Sequence, residues 1–326
     1  MPNLSVIIPV YGVEKYIERC ARSLFEQTLD DIEYLFIDDC TPDKSIEILK
    51  SVVEEYPNRK SSVIIHRMEQ NSGQAAVRKW GILHASGDYI IHCDSDDWVN
   101  VEMYKKLYEK AIEGDYDMVR CNFVRTDGKK QKLCKQIPNI CYENPEKLIS
   151  LALSGNDLTS TWDKMFKRAL YYQDIVFPTC NMQEDAAYVV QLLFYCRKCA
   201  FVPIVGYYYF VNPNSITHTL SESSYLNRMN DVLANGCLIY CFLEKKNMSE
   251  RFAEEIVAHK LATRNHILNI VDKWKYFILW NKTYPEIKGK VLLNPVVSRI
   301  DKIYYILIRL GMFPILLSLY KKIKRR

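Results

Sequence analysis

Asp94, Asp96 and Asp97 crowd together directly after the apolar run Tyr89-Ile90-Ile91-His92-Cys93. Carboxylates gathered at the carboxyl end of a buried strand repel one another and lose hydration unless a cation sits among them. The cluster therefore reads as a metal site. Hard oxygen ligands suit Mg²⁺ or Mn²⁺, which complete their shells with substrate phosphates rather than with a full protein cage. A phosphate-bearing substrate follows. A solvated turn, or a cap on the helix that starts near Asn100, is the plainer account of the same acids. A second metal signal fails: Cys196 and Cys199 form a C-x-x-C, but no second pair among the 11 cysteines has the spacing to complete a zinc site.

The elements that must position the acids alternate. Leu4 to Val10 is a continuous apolar run, as expected for a strand buried on both faces. Helical periodicity follows at Tyr16, Ile17, Cys20, Leu24 and Phe25. The pattern then predicts strands at 33–37, 62–65, 89–93 and 117–122, and helices at 44–55, 74–85 and 101–113. Such alternation implies parallel strands joined by right-handed crossovers, an α/β sandwich with a mostly parallel central sheet. Ligands of such sheets sit beyond the carboxyl ends of the strands. Tyr11 follows the first strand, Asp38 and Asp39 the second, Asn71 and Gly73 the third, and the acidic cluster the fourth. A crevice there suits a ligand that carries both a ring and phosphates. The first turn, Tyr11-Gly12-Val13-Glu14, lacks G-x-G-x-x-G, which disfavours a dinucleotide, and the chain has no P-loop.

Residues 125–142 carry charge and turn formers, and read as a hairpin or lid. Beyond Ser221 the pattern turns helical, with segments expected at 226–243, 250–278 and 300–320. The expected division is a catalytic domain at 1–220 and a helical region at 221–326, whose tail from about 300 associates with membrane.

The 326 residues contain 48% hydrophobic and 25% charged residues, ordinary for a globular protein. Of the formal charge of +5, all can be assigned to Lys321, Lys322, Lys324, Arg325 and Arg326, which leaves a neutral body and argues against a nucleic-acid partner. The first strand begins at Leu4 without a signal-peptide core, so a reducing, cytoplasmic location is expected. Residues 303–320 hold one charge, Arg309, before the basic end. As a helix they extend roughly 27 Å, marginal for crossing about 30 Å of hydrocarbon, and Gly311 and Pro314 interrupt them. Lying in the interface of an anionic membrane, on its inner face, fits better. Each basic residue near the surface contributes about 1 kcal/mol. A terminal helix packed on its own domain is the alternative.

With these residues in place, the chain resembles the family 2 glycosyltransferases of the GT-A fold, enzymes that move a sugar from a nucleotide diphosphate to an acceptor. The likeness covers about residues 3–220, in order. It runs through Ser5-Val6-Ile7-Ile8-Pro9-Val10-Tyr11, Asp38-Asp39-Cys40-Thr41, Asn71-Ser72-Gly73, Arg78, Gly87-Asp88-Tyr89-Ile90, Asp94-Ser95-Asp96-Asp97-Trp98, Trp162-Asp163-Lys164 and Glu184-Asp185.

The resemblance implies that Pro9, Val10, Tyr11 and Glu14 line a nucleotide pocket, with Tyr11 able to stack on a base. It implies that an acid of the Asp38-Asp39 pair accepts the imide N–H of uracil, although an Asx-turn would account for both acids as well. Asn71, Gly73, Arg78 and Ser95 complete the nucleotide-sugar site. The Arg78 fork would hold a phosphate or position an acid. Asp94 and Asp96 match the metal-binding pair, with Mn²⁺ or Mg²⁺ bridging the phosphates of a UDP-sugar. Asp185 matches the base of inverting members, and Glu184 would orient the acceptor or raise the pKa of its neighbour. The acids also suit the amino end of a helix without any catalytic role. The chain departs from the pattern at Lys79, where Asn is usual, and at Phe210, where Arg is frequent. His218 would be a further metal ligand, or a loop histidine with none.

The implied enzyme is an inverting hexosyltransferase acting on a glycan or lipid-linked glycan in surface polysaccharide synthesis. Two other classes fit in part. A nucleotidyltransferase shares the sheet and metal but expects a Gly-rich first turn, and a noncatalytic nucleotide-sugar or glycan-binding module does not need the acids.

Overall fold

The computed structural model describes residues 2–134, 144–155, 159–212, 222–268 and 274–312. The chain divides into two compact units, Met1–Ile149 with Thr159–Thr219, and Ser150–Leu158 with Leu220–Arg326.

The first unit is built on one nine-stranded sheet. Its strands are β1 (Leu4–Val10), β2 (Ile32–Asp38), β3 (Val63–Arg67), β4 (Tyr89–His92), β5 (Trp98–Val99), β6 (Met118–Thr126), β7 (Gln131–Cys134), β8 (Lys164–Lys167) and β9 (Cys199–Phe210). The order is β3-β2-β1-β4-β8-β6-β9-β5, with β7 paired to β6 as a hairpin. The longest ladders, β1 with β2 and β6 with β9, are parallel, and short antiparallel ladders join β8, β5 and β7. The expected hairpin over 125–142 is realised by β6 and β7 as far as Cys134, and residues 135–143 lie outside the described residues.

The helices up to residue 212 are α1 (Ile17–Phe25), α2 (Ser45–Glu55), α3 (Pro57–Lys60), α4 (Gln74–His84), α5 (Met103–Glu113), α6 (Pro145–Leu153) and α7 (Glu184–Tyr195). Leu4, Val6, Ile8 and Val10 alternate toward one face, where they form a single core with α1, α2 and α5. Ile7 and Ile37 face the other side and meet α4 at Gly81. Both faces of β1 are covered, which is why its sequence is a continuous apolar run rather than an alternation. In the parallel register Val10 lies opposite Asp38 and Ile7 opposite His92. Tyr11, Asp39 and Asp94 therefore leave the sheet at the same edge.

The second unit contains α8 (Glu222–Lys245), α9 (Ala253–Asn265), α10 (Trp274–Lys282) and α11 (Arg299–Arg309). Met229, Leu261, Trp280, Val291, Tyr305 and Ile308 form its core. One continuous helix over 250–278 was expected, and that expectation is corrected: α9 ends at Asn265, passes into a short 3-10 turn at His266–Leu268, and α10 starts afresh at Trp274. The Trp280 indole N–H donates to Asn265 Oδ1 (3.0 Å), a contact that requires the chain to fold back. Apolar periodicity continues across such a break and cannot mark it.

Helix α11 begins at a side-chain cap, with Ser298 Oγ accepting from the Asp301 N–H (3.1 Å). It buries Tyr304, Tyr305 and Ile308 while Ile300, Ile303 and Leu310 stay exposed. Residues 313–326 lie outside the described residues, and with them most of the tail. No helix among the described residues is long and apolar enough to cross a membrane.

Candidate active site

The end of β4 leads directly into the acidic stretch. Asp94 accepts from Arg78 Nη2 (2.8 Å) and, more weakly, from Gln74 Nε2 (3.4 Å), both on α4. Its backbone N–H donates to the Tyr207 hydroxyl (3.0 Å) on β9. Asp96 accepts from Asn212 Nδ2 (3.2 Å), and its carbonyl accepts from Arg19 Nη2 (2.8 Å). The Arg19 guanidinium in turn lies 3.7 Å over the Trp98 ring, which fixes the far side of the stretch.

Asp97 departs from the first expectation that three acids share one cation. It is fully buried, and accepts from the Tyr207 hydroxyl (2.7 Å) and the Phe210 N–H (2.6 Å). Burial, followed by the charges of Asp96 and Asp94, raises its carboxyl far above the usual range. Asp97 is thus an anchor between the acidic stretch and β9. Ser95 is buried beside it.

Helix α7 supplies two more acids. Gln183, just before it, has a left-handed backbone (φ 63), uncommon for a residue with a side chain. The turn sets Glu184 and Asp185 in the first turn of α7, where the helix dipole favours negative charge. Arg78 Nη1 donates to Glu184 Oε1 (2.9 Å) and to Asp185 Oδ1, and Thr161 Oγ1 also donates to Asp185 Oδ1 (3.0 Å). One guanidinium, itself 0% exposed, thereby joins the end of β4 to the start of α7. Burial pushes the Glu184 carboxyl up against the opposing pull of Arg78.

The other strand ends hold the remaining predicted residues. Tyr11 is 47% exposed, whereas Val10 is fully buried and its carbonyl accepts from the Asp39 N–H (3.0 Å). The Val10 side chain belongs to the core. Asp38 accepts from the Thr41 N–H (2.7 Å) and Arg67 Nη1 (2.7 Å). Asp39 accepts from the N–H groups of Ser72 (2.7 Å) and Gly73 (2.9 Å), which ties the loop after β3 to the end of β2. Each of these carboxylates retains lone pairs for a further donor.

Gly73 has φ +81, and a Cβ there would stand 2.5 Å from the Asn181 side chain, whose Oδ1 accepts from the Ala75 N–H (3.0 Å). Pro9 is partly buried, and Glu14 and Asn71 are exposed. His218 lies outside the described residues.

A divalent cation fits Asp94 and Asp96. Asp96 is partly buried, and burial together with the charge of Asp94 pushes its carboxyl up to about 6, against the weaker opposing pull of Asn212 and Arg19. Among the described residues no three His, Cys, Asp or Glu side chains gather to form a full protein cage. A two-carboxylate site completed by substrate phosphates is the arrangement Mg²⁺ commonly takes.

Thr161, Tyr207 and Asn212 were not singled out by sequence. Thr161 is signalled only by its place next to Trp162-Asp163-Lys164. The alternation of β9 separates Tyr207 and Tyr209, which stack on Trp162, from Tyr208 and Phe210, which meet Trp98. Asp163 and Lys164 form a buried ionic group with Arg120 (Lys164 Nζ and Arg120 Nη2 lie 2.6 and 2.9 Å from Asp163).

A curled, mostly parallel α/β sheet with acids at its strand ends is the architecture of GT-A glycosyltransferases. The chain belongs to glycosyl transferase family 2, whose family model matches residues 5–176. The glycosyltransferase EpsJ of Bacillus subtilis is 31% identical over 224 residues, 67% of this chain and 63% of that one. A poly(ribitol-phosphate) beta-glucosyltransferase of Bacillus spizizenii is 28% identical over 240 residues, 71% of this chain and 36% of that one. The chain thus spans less than two thirds of the length of these relatives. In fold it is similar to S. aureus TarS 1–349, solved in complex with UDP, with a TM-score of 0.65 and 19% identity over 100% of this chain and 92% of that one. It is also similar to the mannosyltransferase PcManGT of Pyrobaculum calidifontis, solved with GDP-Man and Mn²⁺, with a TM-score of 0.52 and 13% identity over 98% and 88% of the two chains.

Proposed function

We propose that the chain is an inverting, metal-dependent glycosyltransferase that moves a hexose from UDP to a glycan or lipid-linked glycan in surface polysaccharide synthesis. One observation carries the reading: Arg78 brings the candidate metal acid Asp94 and the candidate base Asp185 onto one guanidinium. Donor and acceptor chemistry then meet at one place. Asp185 takes the acceptor hydroxyl proton as that oxygen attacks the anomeric carbon. The bond from that carbon to the β-phosphate oxygen breaks, and its electron pair leaves with the nucleoside diphosphate. Mn²⁺ or Mg²⁺ held by Asp94 and Asp96 supplies charge stabilisation for that leaving group. Tyr11 offers its exposed ring to the base, and Asp39 or Asp38 a remaining lone pair to the uracil imide.

Support for UDP comes from the TarS complex, for a metal from the PcManGT complex, and for a surface glycan from the poly(ribitol-phosphate) relative. A peripheral contact with the inner face of the cell membrane is part of the proposal. The exposed Ile300 and Ile303 of α11 and Leu310 just after it, followed in sequence by the basic end, support it.

Incubation of the full chain with UDP-sugars and Mn²⁺, without acceptor, tests the reading against its rivals. Free sugar and UDP are expected. Conversion of the UDP-sugar to UTP and sugar 1-phosphate on addition of pyrophosphate would indicate a nucleotidyltransferase, and binding without turnover, with or without candidate acceptors, a noncatalytic module.

A further inference from the structure

We infer that Arg78 is a positioning residue that couples the two sides of the site, so that occupation of the donor side at Asp94 and the hold on the base Asp185 are thermodynamically linked. The inference rests on the glycosyl-transfer reading above, and adds a linkage which that reading does not require.

Three carboxylates compete for one cation. Nη2 is given to Asp94 and Nη1 is shared by Glu184 and Asp185. The guanidinium is 0% exposed, while the Asp94 and Asp185 side chains are each 23% exposed. The cation thus lies beneath both acids, and each acid still presents surface to the cleft. Burial makes the competition strong, because charges in a water-poor interior interact over short range with little screening.

A ligand that takes up the negative charge of Asp94 leaves more of the Arg78 field to Asp185. Neutralising Asp185 leaves more of it to Asp94. Coupling of this kind is reciprocal by linkage, so each side must act on the other to the same degree. The fork is also free to respond. Nε of Arg78 is buried and has no hydrogen-bond partner among the described residues, where carboxylates hold the guanidinium in place. Asp185 has a second donor in Thr161, which keeps it near the fork when the balance changes.

The effect on function is directional. Donor arrival at Asp94 strengthens the hold of Arg78 on Asp185, which keeps the base in place when there is a sugar to transfer. Before that, the guanidinium is divided.

The test is calorimetric titration of the full chain with UDP at saturating Mn²⁺, which reads binding without turnover. Asp185→Asn should weaken UDP affinity about 5-fold or more, the lower range of site–site coupling, although in this reading Asp185 serves the acceptor. Glu184→Gln should act in the same direction. Arg78→Lys keeps the charge but replaces the planar fork with a point charge that cannot serve both sides, so Asp185→Asn in that background should cost little more. Equal UDP affinity in the wild type, Asp185→Asn and Glu184→Gln would overturn the coupling and leave the transferase reading intact. A full loss persisting in the Arg78→Lys background would assign the effect to direct attraction between Asp185 and the bound cation instead. If Arg78→Lys fails to fold, the two carboxylate variants alone decide. Absence of Mn²⁺-dependent UDP binding in the wild type would remove the functional reading itself.

Discussion

Gly81 of α4 rests against Ile7 of β1 so closely that a Cβ would stand 2.5 Å from Ile7 Cγ2. The same helix carries Arg78 one turn earlier, so this contact sets the height of the guanidinium above the sheet.

Gly81→Ala is expected to destabilise the protein. The substitution gains up to about 1 kcal/mol of helix propensity. It also forces a methyl into a stiff β-branched side chain, and overpacking of this kind costs about 1–3 kcal/mol. The second effect should win, and Gly81→Val should melt lower still. Thermal unfolding that ranks Ala above Gly would show that α4 has room to lift.

Asp96→Asn should preserve the fold and weaken Mn²⁺-dependent UDP binding, because one anionic ligand to a hard cation is lost. Calorimetry with and without Mn²⁺ checks it. A variant that binds UDP with the wild-type metal dependence would rule out Asp96 as a ligand.

Asp185→Asn should lower transfer at saturating donor by about 10²–10⁴-fold, the usual contribution of a general base. That is far beyond the loss in donor affinity expected from the Arg78 coupling. From a UDP-α-sugar the product should be β-linked, since one displacement inverts the anomeric centre. An α-linked product from the wild type would exclude single displacement.

His259 gives the second unit a predictable response to acid. It is buried, its Nδ1 lies 2.7 Å from the Tyr240 hydroxyl, and burial together with the nearby His266 lowers its pKa to about 4. Its folded pKa is below the ordinary value near 6.5, so the unfolded chain binds the proton first and stability falls as pH drops from 6.5 toward 4. The loss by pH 4.5 should be about 2–3 kcal/mol. Urea unfolding of His259→Gln should vary less with pH over this interval. An unchanged slope would place the acid sensitivity elsewhere.

For the tail, a chain ending at Lys302 should lose the second unit, because it removes Tyr304, Tyr305 and Ile308 from that core. One ending at Met312 should stay folded and release anionic vesicles, and full-length binding should weaken with salt as the basic end is screened. Vesicle sedimentation of both truncations distinguishes these outcomes. Salt-insensitive binding of the Met312 truncation would move the membrane contact off the basic end.

Much of the fold was legible because the first four long strands pair in parallel through local crossovers, and such strands announce themselves as apolar runs between periodic helices. β5 and β8 were not legible. They have two and four residues, and are defined by their neighbours, β9 beside β5, and β4 and β6 on either side of β8. In the site, the strand-end rule located Tyr11, Asp39 and Asp94, but Asp94, Asp96 and Asp97 look alike in sequence. Their division into two partly exposed acids and an inward anchor is decided by Tyr207 and Phe210, more than a hundred residues away. The role of Arg78 was open between phosphate and carboxylate for the same reason: α7 brings its partners from distant sequence.

The inward turn of Asp97 also bears on how the chain can diverge. The three-residue step from Asp94 to Asp97 must begin at the end of β4 and finish on β9, so deleting or inserting one residue would swap which carboxylates face water and which face the interior. The turn between β6 and β7, at 127–130, carries no such double tether and is the place where length changes are affordable. Indels among descendants of this chain should therefore collect at that turn and be purged from the acidic stretch.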